Sequence, residues 1–164
     1  MSTIEKVKPG PGQESVWDYP RPPRIEIVKK PIRVLLNGTL VAEADAALRV
    51  LETSHPPVFY IHPDNVSLDH FRKTLRTTFC EFKGQASYYT AQVGDVKVVN
   101  SAWYYPSPTS GYAEIKNHVA FYPSKFECYV GEERVQAQQG DFYGGWITAN
   151  VVGPFKGEPG TLNW

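Results

Sequence analysis

Asn37-Gly38 stands between two apolar runs, Ile32–Leu36 and Thr39–Ala42, and no other feature restricts the fold of this chain as much. A two-residue loop of this kind adopts a type I′ turn, which needs φ > 0 at both positions, and so it predicts a tight antiparallel hairpin. The predicted register pairs Leu36 with Thr39, Leu35 with Leu40 and Val34 with Val41. Both faces of that hairpin are largely apolar, so it is expected to be covered on both sides. The device recurs twice. Gly94-Asp95 separates Ala86–Val93 from Val96–Ala102, and Gly131-Glu132 separates Phe126–Val130 from Glu133–Gln136, both with the glycine that a type II′ turn requires.

Other segments fit the same β pattern. Val58–Ile61 is a strand bounded by Pro56-Pro57 and Pro63, and Ala46–Glu52 and His118–Tyr122 read as further strands. Asp64–Thr74 is the best place for a short helix, with a single helical turn at Glu114–Asn117. The total is about eight strands and one or two short helices. Ten Tyr, eight Phe and four Trp supply large rings for a core, while fourteen Pro and thirteen Gly supply its turns. The expected class is mainly β and antiparallel.

Six prolines fall in residues 1–31, each fixing its own φ and extending its predecessor. This Pro-rich arm is one segment, 32–136 is the core domain, and 137–164 is a Gly-rich extension packed on the core. Trp17 and Tyr19, within Trp17–Pro23, are expected to dock on the domain, or alternatively on a protein partner or a second copy of the chain.

Charge and cysteine content narrow the function classes. Seventeen Lys+Arg balance seventeen Asp+Glu, so the basic excess typical of nucleic-acid binding is missing. Lys83–Tyr89 has the opening of an RNA-recognition strand, but Gln85, Ser87 and Thr90 stand where that motif stacks its rings. No apolar run reaches the ~18 residues of a membrane span, and the opening residues lack the apolar core of a secretory signal. A cytoplasmic protein is expected, with neither nucleic acid nor membrane as partner. Two cysteines and four histidines, without C-x-x-C or His pairs at helical spacing, give no metal site.

Two constellations carry chemistry. Cys80 lies between Arg76 and Lys83, and flanking cations favour thiol reactivity, although a free cysteine in an aromatic strand is commonly a small core residue. Lys83, Tyr88, Trp103, Tyr105 and Tyr122, joined by Arg49 and Tyr60, place cations among rings, a cradle for a planar or anionic ligand. The same rings equally suit a core. In Trp103-Tyr104-Tyr105, successive side chains alternate faces, so at least one ring must leave the interior for solvent, a partner or a ligand.

Arg33–Gly38, Arg49–Glu52, Pro56–Tyr60, Thr78–Tyr88, Ala102–Pro106 and Val119–Tyr122, together with the arm from Glu14 and the tail from Gly144, resemble the family known as domain of unknown function 427. The resemblance implies a β-tent, or Mss4-like, fold: two antiparallel sheets pinned at one edge. Related folds pin that edge with zinc on paired C-x-x-C motifs, which this sequence lacks. The nucleotidyltransferase label sometimes given to the family implies a Gly-Ser and paired aspartates, and neither occurs here. The leading expectation is a small ligand in an aromatic cleft, with anions among the candidates. The alternative is an interaction or homodimerisation module without catalysis. The weaker one is a thiol redox enzyme using Cys80 with Cys128. No cofactor is indicated.

Overall fold

The computed structural model describes residues 4–140 and 142–164. In chain order the strands are β1 (Glu14–Ser15), β2 (Arg24–Val28), β3 (Ile32–Leu36), β4 (Thr39–Ala44), β5 (Ala47–Leu51), β6 (Val58–Tyr60), β7 (Phe71–Cys80), β8 (Gly84–Val93), β9 (Val96–Tyr104), β10 (Ala120–Phe121), β11 (Glu127–Val130), β12 (Glu133–Arg134), β13 (Gln136–Ala137), β14 (Trp146–Ile147) and β15 (Val151–Val152). The only helices among the described residues are short 3₁₀ turns. None is long and apolar enough to cross a membrane. The protein is mainly β, with several antiparallel sheets.

The hairpin turns form where the sequence puts them. Asn37 and Gly38 have φ of 51° and 75°, and Gly94 and Gly131 also take positive φ at the heads of their hairpins. Leu36 faces Thr39 and Leu35 faces Leu40, but Val34 pairs with Ala42 because a bulge shifts the register after Leu35. The bulge leaves one face of the hairpin buried, through Ile32, Val34 and Leu36, while Leu40 stays 39% exposed. The hairpin is therefore covered on one side, not two.

The expected helix at Asp64–Thr74 is replaced by two 3₁₀ turns, Pro63–Asn65 and Leu68–His70, followed directly by β7. Phe71 decides this. Its ring meets Tyr89, Phe121 and Phe126 in the core, and strand pairing with β8 holds it there.

Strands β10-β9-β8-β7 form one sheet, β2-β5-β6 another, and β12-β11-β3-β4 a third. The Ile61–Val119 bridge joins β6 to the start of β10 through reciprocal hydrogen bonds of 2.9 and 2.8 Å. The first two sheets thus run on into one another, and side chains alternate across the joined surface. Phe59, Ile61, Tyr89, Ala102, Tyr104, Val119 and Phe121 face the third sheet in the main core. Val50, Tyr60, Tyr88, Trp103, Tyr105, Ala120 and Tyr122 face the other way in a second aromatic cluster.

That alternation settles Trp103-Tyr104-Tyr105. Tyr104 enters the main core and its two neighbours the second cluster, and all three are about 5% exposed. Both faces of the joined surface are built over.

The chain ends do the covering. β1 pairs in parallel with β15, and β2 adds an outer strand to β5, so the Pro-rich segment contributes to a sheet. Tyr19 is 5% exposed, packs with Val16, Leu51 and Val151, and donates its hydroxyl to Glu14 at 2.8 Å. Trp17 meets Trp164 edge-on at 5.1 Å and donates its indole N–H to the Pro154 carbonyl. Both rings of the Trp17–Pro23 segment are therefore engaged within the chain.

Candidate functional site

A cavity of about 340 Å³ opens over the second aromatic cluster. Its floor comes from strands. β6 brings Tyr60, β8 brings Tyr88, β9 brings Trp103, Tyr105 follows directly after it, and Cys80 ends β7. Rings at alternate positions on adjacent strands lie on one face, which is why residues so far apart in sequence converge. Tyr60 lies 6.5 Å from Trp103 and 6.3 Å from Tyr105, centroid to centroid, and Trp103 packs on Tyr122 at 4.6 Å.

Cys80 precedes, and Lys83 ends, the three-residue loop Glu81–Lys83 between β7 and β8, closed by the Cys80–Gly84 pair. Gly84 takes a φ of +105°, which admits the sharp return. Thr109 pins the loop from outside, donating its backbone N–H to the Lys83 carbonyl and its hydroxyl to the Phe82 carbonyl. The ammonium of Lys83 lies 5.9 Å from the Tyr105 ring. Burial pushes that ammonium toward neutrality. Tyr60, Cys80 and Glu52 pull the other way, and the charged form is favoured overall. Burial raises the phenols of Tyr60 and Tyr105 above their ordinary range, so both remain protonated donors at neutral pH.

The opposite wall comes from the Glu52–His55 segment together with the chain ends. Arg21 pairs with Glu52 at 3.3 Å and donates to the Thr53 carbonyl at 2.9 Å. His55 Nδ1 lies 2.9 Å from the Thr53 carbonyl, and its ring meets Tyr143 edge-on at 4.8 Å. Burial holds His55 below its usual range despite Glu52, which keeps the imidazole neutral. Lys156 donates to the Trp164 oxygen at 3.2 Å and sits 5.2 Å over the Tyr143 ring. Phe142, Tyr143 and Trp164 complete the rim. The closing loop fits tightly at Gly144, where an added Cβ would lie 2.4 Å from Trp103. Tyr122 locks the loop by donating its hydroxyl to the Phe142 carbonyl at 2.9 Å.

Of the residues marked in the sequence, Tyr60, Lys83, Tyr88, Trp103, Tyr105 and Cys80 line this cavity. Tyr122 lies behind it, against Trp103 and the closing loop. Arg49 is elsewhere: it projects from the other face of β5, 8% exposed, and binds Glu14 at 2.5 Å and Glu26 at 2.7 Å. Cys128 is fully buried in the main core, while Cys80 belongs to the cavity side. Arg21, Glu52, His55, Tyr143, Lys156 and Trp164 escaped the sequence reading. For those in the chain ends the only sequence signal was the aromatic and proline content there, and Glu52 and His55, within the core segment, carried none. Among the described residues, no group of three or more metal-ligating side chains converges.

The sequence pattern of a domain of unknown function, DUF427, matches residues 24–132. The chain belongs to the DUF427 family. No curated protein matches it. The DUF427 region contains the cavity floor, Cys80, Lys83 and the Glu52–His55 segment. Arg21, Phe142, Tyr143, Lys156 and Trp164 lie outside it, so this member completes the cavity with chain ends that the family pattern does not include.

Proposed function

We propose that this DUF427 protein binds a small planar anion in the cavity, with Lys83 holding the negative group and Tyr60, Tyr88, Trp103 and Tyr105 enclosing the ring. One observation carries this reading. Arg21 is engaged by Glu52 and Lys156 by the Trp164 oxygen, whereas Lys83 has no carboxylate within ion-pair distance among the described residues. A part-buried charge without a partner is costly, and an anionic ligand is the group that offsets it. The surrounding rings offer broad apolar faces, and the Tyr60 and Tyr105 hydroxyls offer neutral donors toward an oxyanion. The same reading takes 32–136 as a β-tent core that holds the ligand, with 1–31 and 137–164 as the segments that close over it.

The test is native mass spectrometry of the protein mixed with 2-naphthoate or with its neutral isostere 2-naphthamide. One naphthoate per chain, and far less naphthamide, is the expected result, with the difference lost in Lys83→Met. Equal retention of the two compounds, or retention of naphthoate in Lys83→Met, overturns the assignment.

A further inference from the structure

Cys80 has no part in simple anion binding, yet it stands where a bound anion would meet it. The hairpin that closes with the Cys80–Gly84 pair leaves only Glu81 and Phe82 between Cys80 and Lys83. The thiol and the ammonium both line the same cavity. Cys80 is part-buried and lines the cavity. Beside it, Tyr60 is only 1% exposed and lines the same cavity, and its hydroxyl donates to no protein acceptor among the described residues. Cation, buried donor and sulfur thus converge on one small space.

We propose that Cys80 is a nucleophile that forms thioethers with small electrophiles bearing an anionic group, and that Lys83 positions them. This rests on the anion-binding reading of the cavity and adds bond formation to it. With an activated alkene, the sulfur bonds to the β-carbon while the π pair moves onto the conjugated carbonyl oxygen. The thiol proton then ends on the α-carbon. With an alkyl halide, the S–C bond forms as the carbon–halogen bond breaks, halide leaves with the electron pair, and the thiol proton passes to solvent. Neither step needs an oxidant or a reductant. Lys83 and Tyr60 would meet the carboxylate or the developing enolate oxygen, the charge that grows as the bond forms.

The molecule carries its own control. Cys128 is fully buried between the sheets, and burial pushes its thiol far above the ordinary range, so it stays inert.

The test measures alkylation of the folded protein by iodoacetate and by iodoacetamide. Each rate is divided by the rate for free 2-mercaptoethanol, and the modified cysteine is located by peptide mapping. The expected result is modification at Cys80 and not at Cys128. The normalised iodoacetate rate should exceed that of iodoacetamide on the order of tenfold, the scale of a local cation acting on an anionic reagent. Lys83→Gln should bring the ratio to about one, and Lys83→Arg should keep it above one. Thermal unfolding of each variant establishes that it is folded. A wild-type ratio at or below unity, a ratio indifferent to Lys83→Gln, or an unreactive Cys80 overturns the proposal. If Cys80 is inert while 2-naphthoate still binds in a Lys83-dependent way, only the nucleophile fails. If naphthoate does not bind either, the anion site itself fails.

Discussion

Arg49 and Lys83 are both partly withdrawn from water, but their surroundings differ. Arg49 carries Glu14 and Glu26 on its guanidinium, and through Glu14 it reaches Tyr19 and the N-terminal strap. Lys83 looks into a cavity with rings and hydroxyls around it and no acid within ion-pair distance among the described residues. The cysteines divide similarly, Cys128 in the sealed core and Cys80 at the cavity. A compensated charge ties the fold together, whereas an uncompensated one costs stability, and the proposed anion is what would offset that cost at Lys83. Residue type did not separate the two roles, because partners did.

The largest effect should follow from taking Arg49 away. Arg49→Met leaves Glu14 and Glu26 without their cation and releases the strap. Since both carboxylates are about two-fifths exposed, the loss is discounted to about 1–3 kcal/mol. Urea denaturation measures it, and naphthoate affinity should hardly change. A smaller loss, about 0.5–1.5 kcal/mol, is expected for Tyr122→Phe, which removes the bond to the Phe142 carbonyl. Hydrogen exchange should register it chiefly in the closing loop.

Acid should separate the two regions as well. Burial alone would raise the Glu14 carboxyl, but hydrogen bonds from Arg49 and Tyr19 and the Arg49 charge hold it below its usual range. Glu14 therefore stabilises the fold above the ordinary carboxylate pKa, and that stability is lost as pH falls toward its depressed folded value. His55, held neutral by burial, acts in a higher window. Its contribution begins to fall once the unfolded histidine binds protons, below about pH 6.5. Denaturation midpoints followed downward in pH should fall in two stages, with the lower stage flattened in Arg49→Met. The smallest effect on stability belongs to Lys83→Met, a change of less than about 1 kcal/mol in either direction. Its consequence should appear in binding.

The sequence made the hairpins legible because their turns need positive φ, and few residues adopt it at low cost. The strand bearing Tyr88 followed from the Gly94-Asp95 turn and the one bearing Tyr60 from its bounding prolines, whereas β9 runs two residues past the expected end at Ala102. Alternation then sets Tyr88 and Trp103 on one face, with Tyr105 just beyond the strand. Cys80 and Lys83 were legible together because only two residues separate them in sequence, but the tight turn that joins β7 to β8 there carried no recognised turn signal. Arg49 was misplaced because a strand residue's face depends on register, and the acids that claim it come from the strap and β2. The helix expected over Asp64–Thr74 gave way at Phe71, whose burial among aromatic rings outweighed local propensity. Tyr143, Lys156 and Trp164 were out of reach: nothing local tells a chain end which distant surface it covers.

The most direct test is calorimetric titration of wild type, Lys83→Met and Arg49→Met with 2-naphthoate and 2-naphthamide at low ionic strength. The preference for naphthoate should be on the order of tenfold in wild type and Arg49→Met and should vanish in Lys83→Met. A preference that survives in Lys83→Met, or one that is lost in a folded Arg49→Met, would contradict the division between a structural and a ligand-binding cation.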